Sequence, residues 1–283
     1  MDPDAEAEQT ASTILRTTFI SVVFTACHSY KTETNVSVNN IQFSLPDSTK
    51  QKKSDVTSTK KKKKTIYLTF DDGPNKGTRK VMHIAEEEQI PITMFLIGEQ
   101  VYGSREQTAT YDSLLLNNYV EISNHSYSHA GNAYSKFYTM PDSVANDFMR
   151  CEDSLRLSSK IIRTPGRNIW RTTGVNSTDL KNSTAAADSL QSKGFTVVGW
   201  DLEWHFNNAL NLENTDDEIL QQVDSIFSKG KTKTPDHLVL LAHDQVYADA
   251  TDSATLRNFM QKLKNKDEYN FEVISNYPGI SKD

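Results

Sequence analysis

The chain has 283 residues, 36% of them apolar and 24% charged, enough to enclose one large core or two small ones. Its formal net charge is −6, and the acidic excess lies beyond residue 64, so the body of the chain offers no basic footprint for nucleic acid. Two cysteines, Cys27 and Cys151, are too few for a disulfide framework or a Cys-based zinc site.

Residues 17–26 form an apolar run with small residues at its end, directly before Cys27. The run is too short to span a bilayer and suits the core of a signal peptide. Phe24-Thr25-Ala26-Cys27 is similar to a bacterial lipobox, in which the Cys becomes a lipidated N-terminus after cleavage. Phe24 stands where Leu is usual, and Asp2, Asp4, Glu6 and Glu8 precede the single cation Arg16. The expectation is a signal peptide over 1–27 and a lipoprotein of the cell envelope, periplasmic or surface-exposed, attached to membrane through Cys27. A secreted protein is the fallback. Residues 28–64 carry nine Lys against Glu33, Asp47 and Asp55, about +6, and end in five consecutive Lys. Such a segment repels itself and reads as a flexible tether.

From Thr65 to the C-terminus the pattern is that of one catalytic domain, 65–283. Short apolar runs predict strands over 66–70, 92–97, 120–123, 161–163, 196–200, 238–242 and 271–274. Amphipathic helices are predicted between them, for example over 79–89, with Val81, Ile84 and Ala85 on one face, and over 142–157 after Pro141. Strand–helix alternation of this kind builds a parallel sheet with crossover helices.

Two motifs about fifty residues apart carry the chemistry. Thr69-Phe70-Asp71-Asp72-Gly73-Pro74 ends the first strand with two adjacent carboxylates, and Asn124-His125-Ser126-Tyr127-Ser128-His129 supplies two imidazoles at i and i+4. On a helical turn that spacing puts both rings on one face, where they can share a metal ion. One carboxylate completes an open three-ligand site, and its neighbour is left free as a base. These are the parts of a metal-assisted hydrolase. Three further strand ends carry polar groups: Arg163-Thr164-Pro165-Gly166-Arg167, Trp200-Asp201-Leu202-Glu203-Trp204, and Leu241-Ala242-His243-Asp244. In parallel α/β barrels catalytic groups gather at the C-terminal ends of strands, so all five blocks should converge in one cleft.

In these motifs and their order the chain resembles the NodB-homology polysaccharide deacetylases, the family-four carbohydrate esterases, over roughly residues 65 to 275. The resemblance implies a distorted seven-stranded (β/α) barrel. It also implies that Asp72, His125 and His129 are the metal ligands and Asp71 the general base. Zn²⁺ suits that ligand set, as do Co²⁺, Ni²⁺ and Mn²⁺. Arg163 then pairs with Asp71, and a backbone N–H near Gly166 serves as an oxyanion donor. The family's third block has an aromatic residue where Gly166 stands; Trp170 is a candidate replacement wall. Asp201, or alternatively Glu203, orients His243, the general acid. Trp204 and Leu241 enclose the acetyl methyl group.

The implied reaction is hydrolysis of N-acetyl groups from N-acetylglucosamine-type residues of a polysaccharide: peptidoglycan, a chitin-like oligomer or poly-N-acetylglucosamine. An O-acetyl (xylan) esterase of the same fold and a silent carbohydrate-binding relative are the alternatives. Loops 131–138, with Tyr134, Phe137 and Tyr138, and 207–214 are candidate sugar-contacting surfaces. His205 is a candidate substrate contact, while His83 and His237 read as surface or packing residues. A glycan is the expected partner, with neither a nucleic acid nor a protein partner.

Overall fold

The computed structural model describes residues 62–281; the expected signal peptide with Cys27 and nearly all of the expected tether lie outside them. The central strand, β1 (Lys64–Gly73), is buried along almost its whole length: strands pair with both its edges, and its two faces pack into separate apolar clusters. Parallel β9 (His237–His243) runs along one side, and β2 (Ile92–Leu96) and β10 (Tyr269–Phe271) share the other. A strand covered on both faces reads as a nearly continuous apolar run.

The sheet continues from β2 through β3 (Val120–Asn124) and β4 (Ile161–Ile162) to β7 (Thr196–Val197), all parallel. The antiparallel ribbon β5 (Ile169–Arg171) and β6 (Asn176–Thr178) extends that edge, and β8 (Leu202–Glu203) closes the other beside β9. The ten-stranded, mostly parallel sheet is curled and backed by helices, the distorted (β/α) barrel that the motifs imply. All seven expected strands have counterparts. The last lies two residues earlier than predicted, because Ile274–Asn276 turns as a 3₁₀ helix. Strands β5, β6 and β8, of two or three residues each, are too short for a periodicity signal.

Side-chain alternation separates two environments. Ile66, Leu68 and Phe70 of β1 and Leu238, Leu240 and Ala242 of β9 point outward. They pack with Val81, Ile84 and Ala85 of α1 (Thr78–Glu88) and with Leu256, Phe259 and Leu263 of the helix Ala250–Lys264 in the main core. Tyr67 and Val239, one residue out of phase, point inward with Phe95, Trp170 and Tyr277. Farther along the same inward rows come Thr69 and Asp71 on β1 and Leu241 and His243 on β9. No helix among the described residues is long and apolar enough to cross a membrane.

Candidate active site

Adjacent residues of a regular strand point to opposite faces, yet Asp71 and Asp72 both line one cleft of about 600 Å³. The end of β1 explains this. Its register against β2 shifts between Asp71 and Gly73, and Asp72 takes a left-handed backbone conformation, φ 75°. Asp tolerates that conformation better than most residues, and the irregularity re-aims the second carboxylate.

The histidine pair arrives differently from expectation. His125 and His129 do not share a helical turn. Ser126, His129 and Ala130 have φ of 68°, 50° and 59°, a tight loop beyond β3 rather than an α-helix. Asn124 Oδ1 accepts the N–H of Ser126 at 2.8 Å, and Asp147 Oδ2 accepts those of Tyr127 and Ser128 at 3.1 Å. This scaffold brings the two rings to 5.2 Å between centroids. Nε2 of His125 lies 3.4 Å from Asp72 Oδ1 and that of His129 lies 3.1 Å from it.

These three residues fit a divalent cation. Asp72 Oδ1 is buried and has no hydrogen-bond donor, an unfavourable state for a carboxylate oxygen without a cation beside it. His125 Nδ1 lies 2.9 Å from the carbonyl of Arg163, so it carries the proton in the neutral ring and leaves the Nε2 lone pair facing Asp72. Two bonds of ~2.0–2.2 Å at a tetrahedral angle separate their ligand atoms by roughly 3.3–3.6 Å, close to the two distances found. Burial alone would raise the Asp72 pKa, but the imidazoles of His125 and His129 beside it, with His243 near by, hold its carboxyl well below the usual range.

Asp71 takes a different set of partners. Its Oδ1 accepts from Arg163 Nη1 at 2.9 Å, while its Oδ2 is 3.7 Å from His125 Nε2. Arg163 is fully buried and donates as well to Thr69 Oγ1 at 2.7 Å, to the carbonyl of Gly199 at 3.0 Å and to that of Val198 at 3.3 Å. Its guanidinium carbon sits 4.2 Å above the Phe95 ring. Burial draws its pKa below the usual value, opposed by the charge of Asp71. On the adjacent strand His243 packs edge-on against Phe206, with centroids 5.1 Å apart, and its Nδ1 is buried without a partner. Asp244 ties the two sides together: its carboxylate accepts from Asn75 Nδ2 and Thr78 Oγ1, and Asn75 Nδ2 also reaches the carbonyl of Asp72 at 3.2 Å.

Gly166 and Leu241 line the cleft as anticipated. Asp201 does not. Its two oxygens accept the backbone N–H groups of Lys233, at 2.7 Å, and Val239, at 2.8 Å, at the opposite end of β9 from His243. The acid of that block that faces the cleft is Glu203, paired in register with Leu241. Trp204 is likewise displaced: it is a core residue, stacked edge-on against Phe259 and Tyr247, with its indole N–H donating to the Asn214 carbonyl. Trp170 is buried in the barrel interior.

The aromatic walls are instead Tyr134, Trp200 and Phe206. Of these, sequence reading singled out Tyr134 and gave no role to the other two, although Trp200 opens the fourth block and Phe206 follows two residues after it. Phe137 and Tyr138 are core residues, loop 207–214 contributes nothing to the cleft lining, and His205 turns outward beside Glu203. His83 is exposed, and His237 packs on Tyr67 and Tyr277.

Comparison with known proteins agrees with this arrangement. The family model described as polysaccharide deacetylase matches residues 58–197, which include the two carboxylates and both histidines. The chain belongs to the polysaccharide deacetylase family. Among curated relatives of this polysaccharide deacetylase chain, "Putative polysaccharide deacetylase YheN" of Bacillus subtilis is 23% identical over 220 residues, 75% of this chain and 67% of that protein. A bifunctional xylanase/deacetylase of Pseudobutyrivibrio xylanivorans is 26% identical over 215 residues, again 75% of this chain but 30% of that protein. A family 4 carbohydrate esterase from Streptomyces lividans shares the fold, with a TM-score of 0.55 at 20% identity over 76% of this chain and 95% of that one. So does a CE4 esterase from Streptococcus mutans, with a TM-score of 0.58 at 19% identity over 75% of this chain and 86% of that one.

Proposed function

We propose that this polysaccharide deacetylase removes N-acetyl groups from N-acetylglucosamine-type residues of a glycan and releases acetate. The observation that carries the reading is the division of labour inside one cleft. Asp72, His125 and His129 form a cation-binding set, while Asp71, held by Arg163, and His243, packed on Phe206, line the same cleft.

Asp72, His125 and His129 would hold the divalent cation, Zn²⁺ or a comparable ion. When bound, it supplies Lewis-acid chemistry, acidifying water and polarising a carbonyl oxygen. Asp71 takes the proton from the attacking water. Arg163 holds and aims that carboxylate, as an always-charged fork within hydrogen-bonding distance does. Gly166 lines the cleft, and we assign its N–H to stabilise negative charge on the acetyl oxygen. His243 delivers a proton to the departing amine, which an amide requires because an unprotonated amine anion is a very poor leaving group. Glu203, and not Asp201, shares the cleft lining with His243. Leu241 and Ile97 give the methyl group an apolar lining, and Trp200 and Phe206 offer faces on which a sugar ring stacks. The lipobox-like residues 24–27, outside the described residues, support a place in the cell envelope where such glycans occur.

The test is acetate release from a panel of N-acetylated glycans and acetylated xylan by the full chain. It is run as purified, after chelation, and after return of Zn²⁺ or Co²⁺, with Asp71→Asn as control. Metal-dependent release from an amide that disappears in the variant is the expected result. Release from xylan alone would replace the amidase reading with an O-acetyl esterase, and silence on every substrate with metal bound would replace it with a binding protein.

A further inference from the structure

His125 and His129 are held in unequal ways. The Nδ1 of His125 meets a backbone carbonyl inside the barrel, whereas the Nδ1 of His129 faces a side chain, the phenol of Tyr134. Tyr134 opens the short helix Tyr134–Phe137, and its ring turns back over the loop onto His129. The two rings meet edge to face, 5.7 Å apart at 87°, and the phenolic oxygen lies 3.4 Å from Nδ1. That distance is at the long end of hydrogen bonding.

The far side of the Tyr134 ring rests on Gly166. A Cβ added at position 166 would come within 3.2 and 3.3 Å of Tyr134 Cε1 and Cδ1, and the backbone there has φ +59°. The bare glycine is therefore what admits the ring. Tyr134, Gly166 and His129 all line the cleft, so one aromatic side chain spans from a metal ligand to the loop that follows Arg163.

We infer that Tyr134 is a positioning residue for His129, its hydroxyl fixing the imidazole through Nδ1 and its ring forming the cleft wall over Gly166. The inference rests on the cation-binding reading of Asp72, His125 and His129. When His129 ligates through Nε2, its Nδ1 carries the proton, and the phenolic oxygen accepts it. An acceptor there fixes the tautomer and ring rotation and raises ligand basicity; loss of such a partner typically costs about 10–100-fold in metal affinity. The two functions separate chemically, because the hydroxyl serves His129 and the ring serves the wall.

The experiment measures Zn²⁺ and Co²⁺ affinity of the full chain by competition with a chromophoric chelator, together with the visible spectrum of the Co²⁺ form. Wild type, Tyr134→Phe, Tyr134→Ala and His129→Ala are compared, and KM and kcat are taken on the best glycan. Tyr134→Phe is expected to lose about tenfold or more in metal affinity and to shift the Co²⁺ absorption, with KM within about twofold of wild type. Tyr134→Ala should lose metal affinity similarly and also raise KM. Unchanged affinity and an unchanged Co²⁺ spectrum in Tyr134→Phe, which keeps the ring and the fold, would overturn the inference while leaving the metal centre standing. Equal binding by wild type and His129→Ala, or none by wild type, would remove the metal-centre reading itself and this inference with it.

Discussion

Asp71 and His243 are register partners on neighbouring parallel strands, the last pair in the ladder between β1 and β9. Two residues 172 positions apart in the chain thus stand side by side at the same height, on inward-facing rows. The acid–base chemistry proposed for them follows from that pairing, and it separates the two roles experimentally. Asp71→Asn should cut both amide and ester hydrolysis by about 10²–10⁴-fold, since either substrate needs a proton taken from water. His243→Ala should abolish amide hydrolysis by a similar factor and spare an activated acetate ester, whose leaving group needs little protonation. Parallel assays of acetate release and ester cleavage decide; equal losses on both substrates in His243→Ala would contradict the assignment.

Arg163 is buried completely and satisfied by four acceptors, among them Asp71. Removing one member of such a pair strands the other charge in the interior, at a cost of roughly 3–5 kcal/mol. Arg163→Met should therefore lose both stability, read by urea unfolding, and activity. In the double variant Arg163→Met/Asp71→Asn part of the stability should return without the activity. Additive losses in the double variant would mean that the two side chains are energetically independent.

The two tryptophans around the fourth block should behave oppositely. Trp204 is 1% exposed and packed among Phe259 and Tyr247, so Trp204→Ala should cost about 3–5 kcal/mol of stability. Trp200 lines the cleft, so Trp200→Ala should raise KM for the glycan severalfold and leave unfolding much less affected. Thermal melts beside initial-rate kinetics on both variants check this pair. A large KM effect from Trp204→Ala with unchanged stability would restore it to the substrate wall.

Asp201 offers a pH signature far from the cleft. Burial raises its pKa to about 6, despite the N–H groups of Val239 and Lys233 that favour the charged form. An acid whose folded pKa lies above its unfolded value of 3.8 binds a proton more tightly in the folded state. Its contribution to stability is therefore fully present below about pH 4 and is lost as pH rises through about 6, by roughly 3 kcal/mol in all. The stability difference between wild type and Asp201→Asn, measured by urea unfolding from pH 4 to 7, should drift against wild type as pH rises. A difference that is constant or drifts the other way would contradict this.

Much of the site is legible before folding is considered. Two adjacent carboxylates at a strand end, two imidazoles four apart, and Arg163 and His243 at later strand ends all lie within one cleft, because parallel strands present their C-terminal ends together. The residue types and their order were sufficient for that much. The loop that carries the histidines is not a helix, yet the spacing still permitted convergence, since positive φ at Ser126, His129 and Ala130 folds the chain back as tightly as a helical turn would.

Tertiary structure alone decided which members of Trp200-Asp201-Leu202-Glu203-Trp204 face the cleft. Regular pairing in β7 ends at Val197, and residues 198–201 run on without a fixed alternation, so parity cannot be counted forward from that strand. It is reset by β8, where Leu202 pairs with Leu240 and Glu203 with Leu241. That register turns Glu203 toward the cleft and leaves Asp201 to hold two backbone N–H groups, while Trp204 goes into the core. A slip of one residue would invert every one of these assignments, because side chains alternate with period two. A local pattern specifies chemistry, and only the partner strand specifies the side on which that chemistry appears.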